Sequence, residues 1–460
     1  MKSFRLRPSI LILLMLFSLS CQAAYQIFSP PAPTNLNRQE RQVLHASPTI
    51  ILPTETITPR PSQTPTTTPT LTPTITSSPL HFRVFEDLWQ VVNDNYLYRD
   101  FNGQNWDSIR VEYRARIEEG LTDDDFYAAM EEMIFRLNDD HSAFLNPEDA
   151  AQEDSEFAGE NNFVGIGILT TAIPERDRIA IILTFPGSPA EQAGLRPHDS
   201  ILEADGVPVL DENGFRRDLL RGPAGTQVTL TVQSPGEAPR QVNVIRNEVN
   251  GPVPVFYTWL ESPNGGKIGY ILLTTFADET TDDQVADAIE QLSQDAHLDG
   301  LVLDNRYNSG GADNVARGVL SYFTSGVLGY FVDRDQVQRS MEVIGNDLYA
   351  SSTLPLVVLI GRDTVSFGEI FSGVLRDSGR AHLIGERTEG NIELLWGYDF
   401  EDGSRAWIAK ETFRPTNNPD QDWEVEGITP DEIITSNWDE VTLKSDPLIQ
   451  AALDYLDNRQ

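Results

Sequence analysis

Between residues 255 and 442, short apolar runs alternate with amphipathic stretches, and this alternation constrains the fold more than any other feature of the chain. "KIGYILLTTF" precedes "DDQVADAIEQLSQD", in which Val285, Ile289 and Leu292 recur on one helical face. "GLVLDNR" and, after a further helix, "PLVVLIG" follow. Strand, helix and strand in that order need crossover connections, so the pattern predicts an α/β core on a mixed sheet. Chemistry in such sheets gathers at strand ends, and two of these ends have unusual sequences. "LDNRYNSGGADN" sets Gly310 and Gly311 between a strand and a helix, while "LIGRDTVSFGEIF" sets Ser366 at a strand-to-helix turn.

A serine at such a turn is exposed. The N–H groups opening the next helix, whose buried face is Ile370, Phe371, Val374 and Leu375, can stabilise a developing oxyanion. Glycine N–H groups from the other strand end can add a second donor. The competing structural role for Ser366 is a helix cap.

The 460 residues, 40% hydrophobic, suffice for two or three domains with buried cores. The formal charge of −36 repels phosphate backbones, and the chain has no basic stripe, so nucleic acid is excluded as a partner. Ahead of the α/β region, Phe82, Phe85, Trp89 and Val92 recur at helical spacing. Phe126, Met130, Met133, Ile134 and Leu137 do so after Thr122, with an acid three positions on. These stripes predict two amphipathic helices facing a core. The second runs into "LNDDHSAFLNP", where Asp139, Asp140, His141 and Ser142 crowd a loop closed by Pro147.

From Phe163 to about Val249 the pattern changes to short strands, "FVGIGIL", "IAIILTF", "SILEADG" and "QVTLTVQ", with a short helix "SPAEQAG" stopped at Gly194. "PGSPAEQAGLRPHDSILEADGVPV" followed by "LLRGPAGTQVTLTV" resembles a PDZ domain across nearly its whole length. That resemblance implies that backbone N–H groups around Gly165, Ile166 and Gly167 cradle a terminal carboxylate while the peptide pairs as an added strand. His198 lies in a turn away from that loop and reads as a surface residue.

The order of motifs ("DDHSAF", the PDZ-like segment, "GYILLTTF", "LVLDNRYNSGG", "SFGEIFSGVLRDSGRAHLIGERTEG", "EGITPD") resembles that of the carboxyl-terminal processing peptidases, or tail-specific proteases, from about Phe82 to Ser436. The resemblance implies a serine endopeptidase with Ser366 as nucleophile. It also implies an oxyanion hole from the N–H of Phe367 and that of Gly310 or Gly311.

One position departs from that family. Its base is a lysine after Thr-x-Gly, whereas here Thr388-Glu389-Gly390 is followed by Asn391, and an amide is no useful proton acceptor. Beyond Lys2 the chain offers only Lys267, Lys410 and Lys444, none in a matching position. Tricorn-type and chlamydial secreted relatives instead use serine, a histidine from the helical amino-terminal part, and a glutamate shortly before Gly-x-x-Pro-Asp. By that match His141 accepts the Ser366 proton and Glu424 orients the imidazole. Glu426 competes for the orienting role, because offset along the chain does not say which carboxylate points inward. Asp304 and Arg306 read as a structural ion pair, and His297 and His382 as surface or packing residues. No cofactor or metal is expected.

Lys2, Arg5 and Arg7 precede the apolar run Ile10 to Phe17, which suits a signal peptide and is too short for a membrane-spanning helix. "SLSC" ends at Cys21, the one cysteine, and the stretch resembles a bacterial lipoprotein signal that makes Cys21 the lipidated first residue. Residues 22–80 are rich in Pro, Thr and Ser and read as a stalk.

The expected organisation is a multi-domain α/β protein (α+β overall). It has a signal peptide at 1–21, the stalk, a helical domain at 81–157, a PDZ-like domain at 158–249, a mixed-sheet serine protease core at 255–442 and a terminal helix at 443–460. The expected function is a lipid-anchored peptidase of the bacterial cell membrane, facing away from the cytoplasm, with polypeptide tails entering a PDZ-like groove. The alternative, favoured by Asn391, is an inactive peptide- or ligand-binding lipoprotein with a protease-like fold.

Overall fold

A computed structural model describes residues 76–459 apart from 140, 295 and 296. Cys21, the apolar run before it and the stalk up to residue 75 lie outside the described residues, as does Asp140. Among the described residues no helix is long and apolar enough to cross a membrane.

The helical part opens with Pro79–Asn95, where Ser78 caps the helix by accepting the His81 N–H and Pro79 supplies a first-turn residue that needs no donor. Trp106–Glu119 and Asp123–Phe135 follow. Phe85, Trp89, Val92, Phe126, Met130, Met133 and Ile134 pack into one cluster, as their spacing predicts, but that cluster also takes in Ala406 and Ile408. These two belong to the long strand Arg405–Pro415. The helices therefore complete their core on the protease region.

That strand organises a five-stranded sheet. The short strand Ala143–Leu145 pairs with it antiparallel, Ala143 opposite Trp407. This pairing anchors the segment that follows His141 and Ser142 against the α/β body. The main sheet has six strands in the order Phe256–Glu261, Lys267–Leu272, Gly300–Asp304, Leu356–Ile360, His382–Gly385, Glu432–Ile433. The first pair is antiparallel and the rest are parallel, so the sheet is mixed, with crossover helices between its parallel strands. The ends of Gly300–Asp304 and Leu356–Ile360 lie side by side, bringing the glycine pair and Ser366 together.

The PDZ-like segment forms its own sheet in the order Ile168–Ile173, Arg178–Thr184, Ser200–Ala204, Gln227–Gln233, Arg240–Ile245. It leans on the main sheet, with Ala180 and Ile182 in one cluster with Tyr270, Leu272 and Trp438. His198 corrects the sequence reading. It is 6% exposed, its ring stacks on Trp438 at 3.9 Å, and its Nδ1 lies 2.8 Å from the Trp438 carbonyl. Its partner lies 240 residues away, so no local pattern could show the contact. Beside it Arg306 is clamped by Asp304 (2.9 and 2.6 Å) and Asp446 (2.7 Å), all three buried. His198→Ala leaves the Trp438 carbonyl without its partner and is expected to cost about 1–3 kcal/mol, read as a lower urea midpoint. An unchanged midpoint would mean that this buried contact adds nothing to stability.

Candidate active site

Ser366 sits at φ 54°, ψ −127° directly before the helix Phe367–Asp377. L residues rarely adopt such a backbone, which costs about 1–3 kcal/mol and persists where surrounding bonds impose it. Those bonds are present. Val365 N–H donates to the Asn308 carbonyl (3.0 Å), Thr364 Oγ1 donates to the Asn305 carbonyl (2.8 Å), and Asn305 Nδ2 donates to the Gly368 carbonyl (2.8 Å). The two strand ends are thus stitched together around the serine. Its side chain makes no capping bond to the helix, so the structural alternative for Ser366 is not what the fold uses.

Gly310 lies against the serine. A Cβ added there would stand 2.6 Å from Ser366 Cβ and 3.0 Å from both Ser366 Oγ and Phe367 N. Its N–H already donates to Asn308 Oδ1 (2.9 Å). Gly311 abuts the backbone of Phe276 and Ala277, where a Cβ would fall 2.1 Å from a backbone carbon. Gly311 is exposed, and its N–H has no hydrogen-bond partner among the described residues. Phe367 N–H opens its helix and has no partner within it. Of the three expected donors, Phe367 and Gly311 therefore keep theirs available, and Gly310 supplies clearance.

From the serine helix a chain of contacts leads to the histidine. Glu369, on the first turn, is buried, and its Oε1 accepts the Gly390 N–H (3.0 Å). Burial pushes its carboxyl up to about 7, against hydrogen bonds from Thr388 and from the Gly390 and Asn391 backbone that favour the anion. Asn391 follows, 4% exposed. Next, Ile392 N–H donates to Glu424 Oε2 (2.8 Å). The other oxygen of Glu424 stands 3.4 Å from His141 Nε2. Glu426 is exposed, so of the two competing acids it is Glu424 that faces the ring.

His141 is held by its loop, in which the Asp139 carboxylate accepts the backbone N–H of His141 (3.2 Å) and of Ser142 (2.7 Å). A second acid that the sequence reading missed, Glu393, puts Oε2 3.8 Å from His141 Nε2 while its Oε1 accepts the Tyr98 hydroxyl. Burial alone would lower the His141 pKa. The bond to Glu424 and the charges of Glu393 and Glu424 outweigh it and lift the ring to about 9. Burial lifts the Glu393 carboxyl to about 7, against the pull of His141. For Glu424 burial is overcome by the ring, and its carboxyl is held low. Glu393 is the lone acid in the otherwise uncharged run "NIELLW", a signal that could have been read.

Among the described residues Ser366 Oγ makes no hydrogen bond, to His141 or to any other group. The lysines lie elsewhere: Lys267 sits over the Trp259 ring (4.2 Å) and Lys410 over Trp396 (4.0 Å). In the PDZ-like part, the Ile166 carbonyl accepts from Ala190 N–H (2.8 Å) and the Gly167 carbonyl from Phe185 N–H (3.0 Å). Gly167 has φ +77°, and a Cβ there would meet Ser188 Cβ at 2.4 Å. This loop, with Gly165 closing the preceding strand, leads into the edge strand Ile168–Ile173, whose Thr170 carbonyl accepts from Arg216 Nη1 (3.1 Å).

A strained serine at the junction of two parallel strand ends, with backbone donors beside it and a PDZ-like sheet docked on the same body, defines a serine-type peptidase of the processing class. Residues 267–434 match the peptidase family S41 model, 83–135 the tricorn protease C1 domain and 186–234 the PDZ domain. The chain belongs to the carboxyl-terminal-processing peptidases of family S41. It is 34% identical over 377 residues to a carboxyl-terminal-processing protease of Synechocystis sp., covering 80% of this chain and 85% of the relative. It is 31% identical over 356 residues to the chloroplastic carboxyl-terminal-processing peptidase 2 of Arabidopsis thaliana, covering 76% and 68%. The solved photosystem II D1 C-terminal processing protease superposes with a TM-score of 0.56 at 28% identity, covering 82% of this chain and 97% of that one.

Proposed function

We propose that this peptidase runs on Ser366, His141 and Glu424 in place of a serine–lysine pair, and that it cleaves polypeptides presented by their carboxyl-terminal tails. The observation that carries the reading is the His141 ring held 3.4 Å from Glu424, on a loop tied to the serine helix through Glu369 and the Asn391 segment. His141 takes the Ser366 proton as the hydroxyl attacks the scissile carbonyl and returns it to the leaving amine, while Glu424 stabilises the imidazolium. The acids engage Nε2, so the proton passes to Nδ1. The N–H groups of Phe367 and Gly311 receive the oxyanion. Substrate closes the gap between serine and ring, since catalytic hydrogen bonds tighten when substrate binds.

The tail enters as an added strand on Ile168–Ile173, displacing Arg216 from Thr170, with its carboxylate against Gly165, Ile166 and Gly167. Two observations support this: Ile168–Ile173 is an end strand of its sheet, and among the described residues the N–H groups of Ile166 and Gly167 are without partners. The amino-terminal sequence supports an anchor through lipidated Cys21, with the stalk holding the body outside the cytoplasm.

The test is labelling of the full chain by a fluorophosphonate probe. Wild type is expected to label, and Ser366→Ala and His141→Ala are expected to lose labelling. An unreactive wild type that becomes reactive as Asn391→Lys would instead identify a lapsed lysine enzyme retained as a receptor, the reading that buried Asn391 favours.

A further inference from the structure

His141, Glu393 and Glu424 converge in a way that hydrolysis does not need. Catalysis by the proposed route calls for one acid on the ring, yet two face the same nitrogen, at 3.4 and 3.8 Å. One oxygen of each acid is already engaged, by Ile392 N–H on Glu424 and by the Tyr98 hydroxyl on Glu393. The remaining oxygens turn to the ring. Glu393 is 3% exposed, and its Oε2 is buried without a hydrogen-bond partner. An orphaned carboxylate oxygen costs free energy unless something compensates it.

We propose that His141 Nε2, Glu393 Oε2 and Glu424 Oε1 form a binding site for one zinc ion that withdraws His141 from catalysis. The three ligand atoms lie within 4.8 Å of one another. Bonds of about 2.0–2.1 Å in tetrahedral geometry set ligands about 3.3–3.4 Å apart. The ring and Glu424 already have that spacing at 3.4 Å, the ring and Glu393 stand 3.8 Å apart, and the two acid oxygens, within 4.8 Å of each other, draw together around the ion. A neutral imidazole with two carboxylates carries two negative charges, balancing a dication, and the fourth position is left for water. The outer bonds from Tyr98 and Ile392 orient the carboxylates as supporting groups do in metal sites.

Nitrogen and oxygen donors in this number favour zinc over magnesium or calcium, which take six or more oxygens. Loading exchanges the imidazolium proton for the ion: zinc gains the Nε2 lone pair, one proton leaves to solvent and no redox change occurs. Binding therefore tightens as pH rises. The loss of proteolysis on loading rests on His141 being the base; zinc binding itself does not.

Calorimetric titration of the full-length Ser366→Ala chain with zinc chloride at pH 8 separates the two. Equimolar binding with proton release is expected, together with affinity about a hundredfold or more weaker in Ser366→Ala carrying Glu393→Gln. Magnesium chloride should give no heat of binding. X-ray absorption of zinc-loaded Ser366→Ala, which keeps all three ligands, should show one imidazole nitrogen among oxygen neighbours. No binding, binding indifferent to Glu393→Gln in a variant folded by circular dichroism, or a spectrum without imidazole would each overturn the site. None of these results depends on whether the wild type hydrolyses peptides.

Discussion

His141→Ala is expected to lower kcat/KM on an unfolded protein substrate by about 10³-fold, in the range that a positioned general base contributes. The same assignment dictates a pH dependence. The raised pKa of about 9 means that the free enzyme holds the ring as imidazolium at neutral pH. Only the neutral ring accepts the serine proton, so kcat/KM should rise with pH and level off above about 9. At pH 7 it should lie about a hundredfold below the plateau. Glu393→Gln removes one of the charges that stabilise the imidazolium and should move this limb to lower pH. Peptidase activity undiminished in His141→Ala, or a flat profile between pH 6 and 10, would remove the imidazole from the mechanism.

Gly310→Ala should be nearly as damaging, with a loss of about 10²–10³-fold, comparable to removing an oxyanion donor. The added methyl would stand 3.0 Å from Ser366 Oγ and from Phe367 N, the space between nucleophile and donor that the tetrahedral oxygen must enter. The backbone adds its own penalty, since Gly310 has φ +81°, a conformation worth about 1–3 kcal/mol against an L residue. Steady-state kinetics with a urea midpoint separates the two contributions. Near wild-type turnover in a folded Gly310→Ala protein would mean that the reacting oxygen lies elsewhere.

The parts of this enzyme written in local pattern were legible before its structure. Val285, Ile289 and Leu292 lie on one face because a helix repeats every 3.6 residues, and all three are buried as that period requires. Ser366 stood out because strand, turn and helix are adjacent in sequence. What escaped notice depended on distant partners. Glu393 gains meaning only from a ring 252 positions earlier, and His198 only from Trp438. Which of the two adjacent glycines keeps a free N–H was open until the bond from Gly310 N–H to Asn308 distinguished them.

Periodicity and turn chemistry were enough to specify an α/β core, a run of short strands, a helical cap and a serine at a strand-to-helix turn, because each is set by residues within a few positions of one another; the PDZ-like sheet and the missing lysine were legible through resemblance to known families. Which acid meets His141, and that a second one shares it, was decided when Ala143–Leu145 paired with Arg405–Pro415 and carried the histidine loop onto the protease body. Distances between remote side chains follow from how the sheets pack, and no spacing along the chain encodes them.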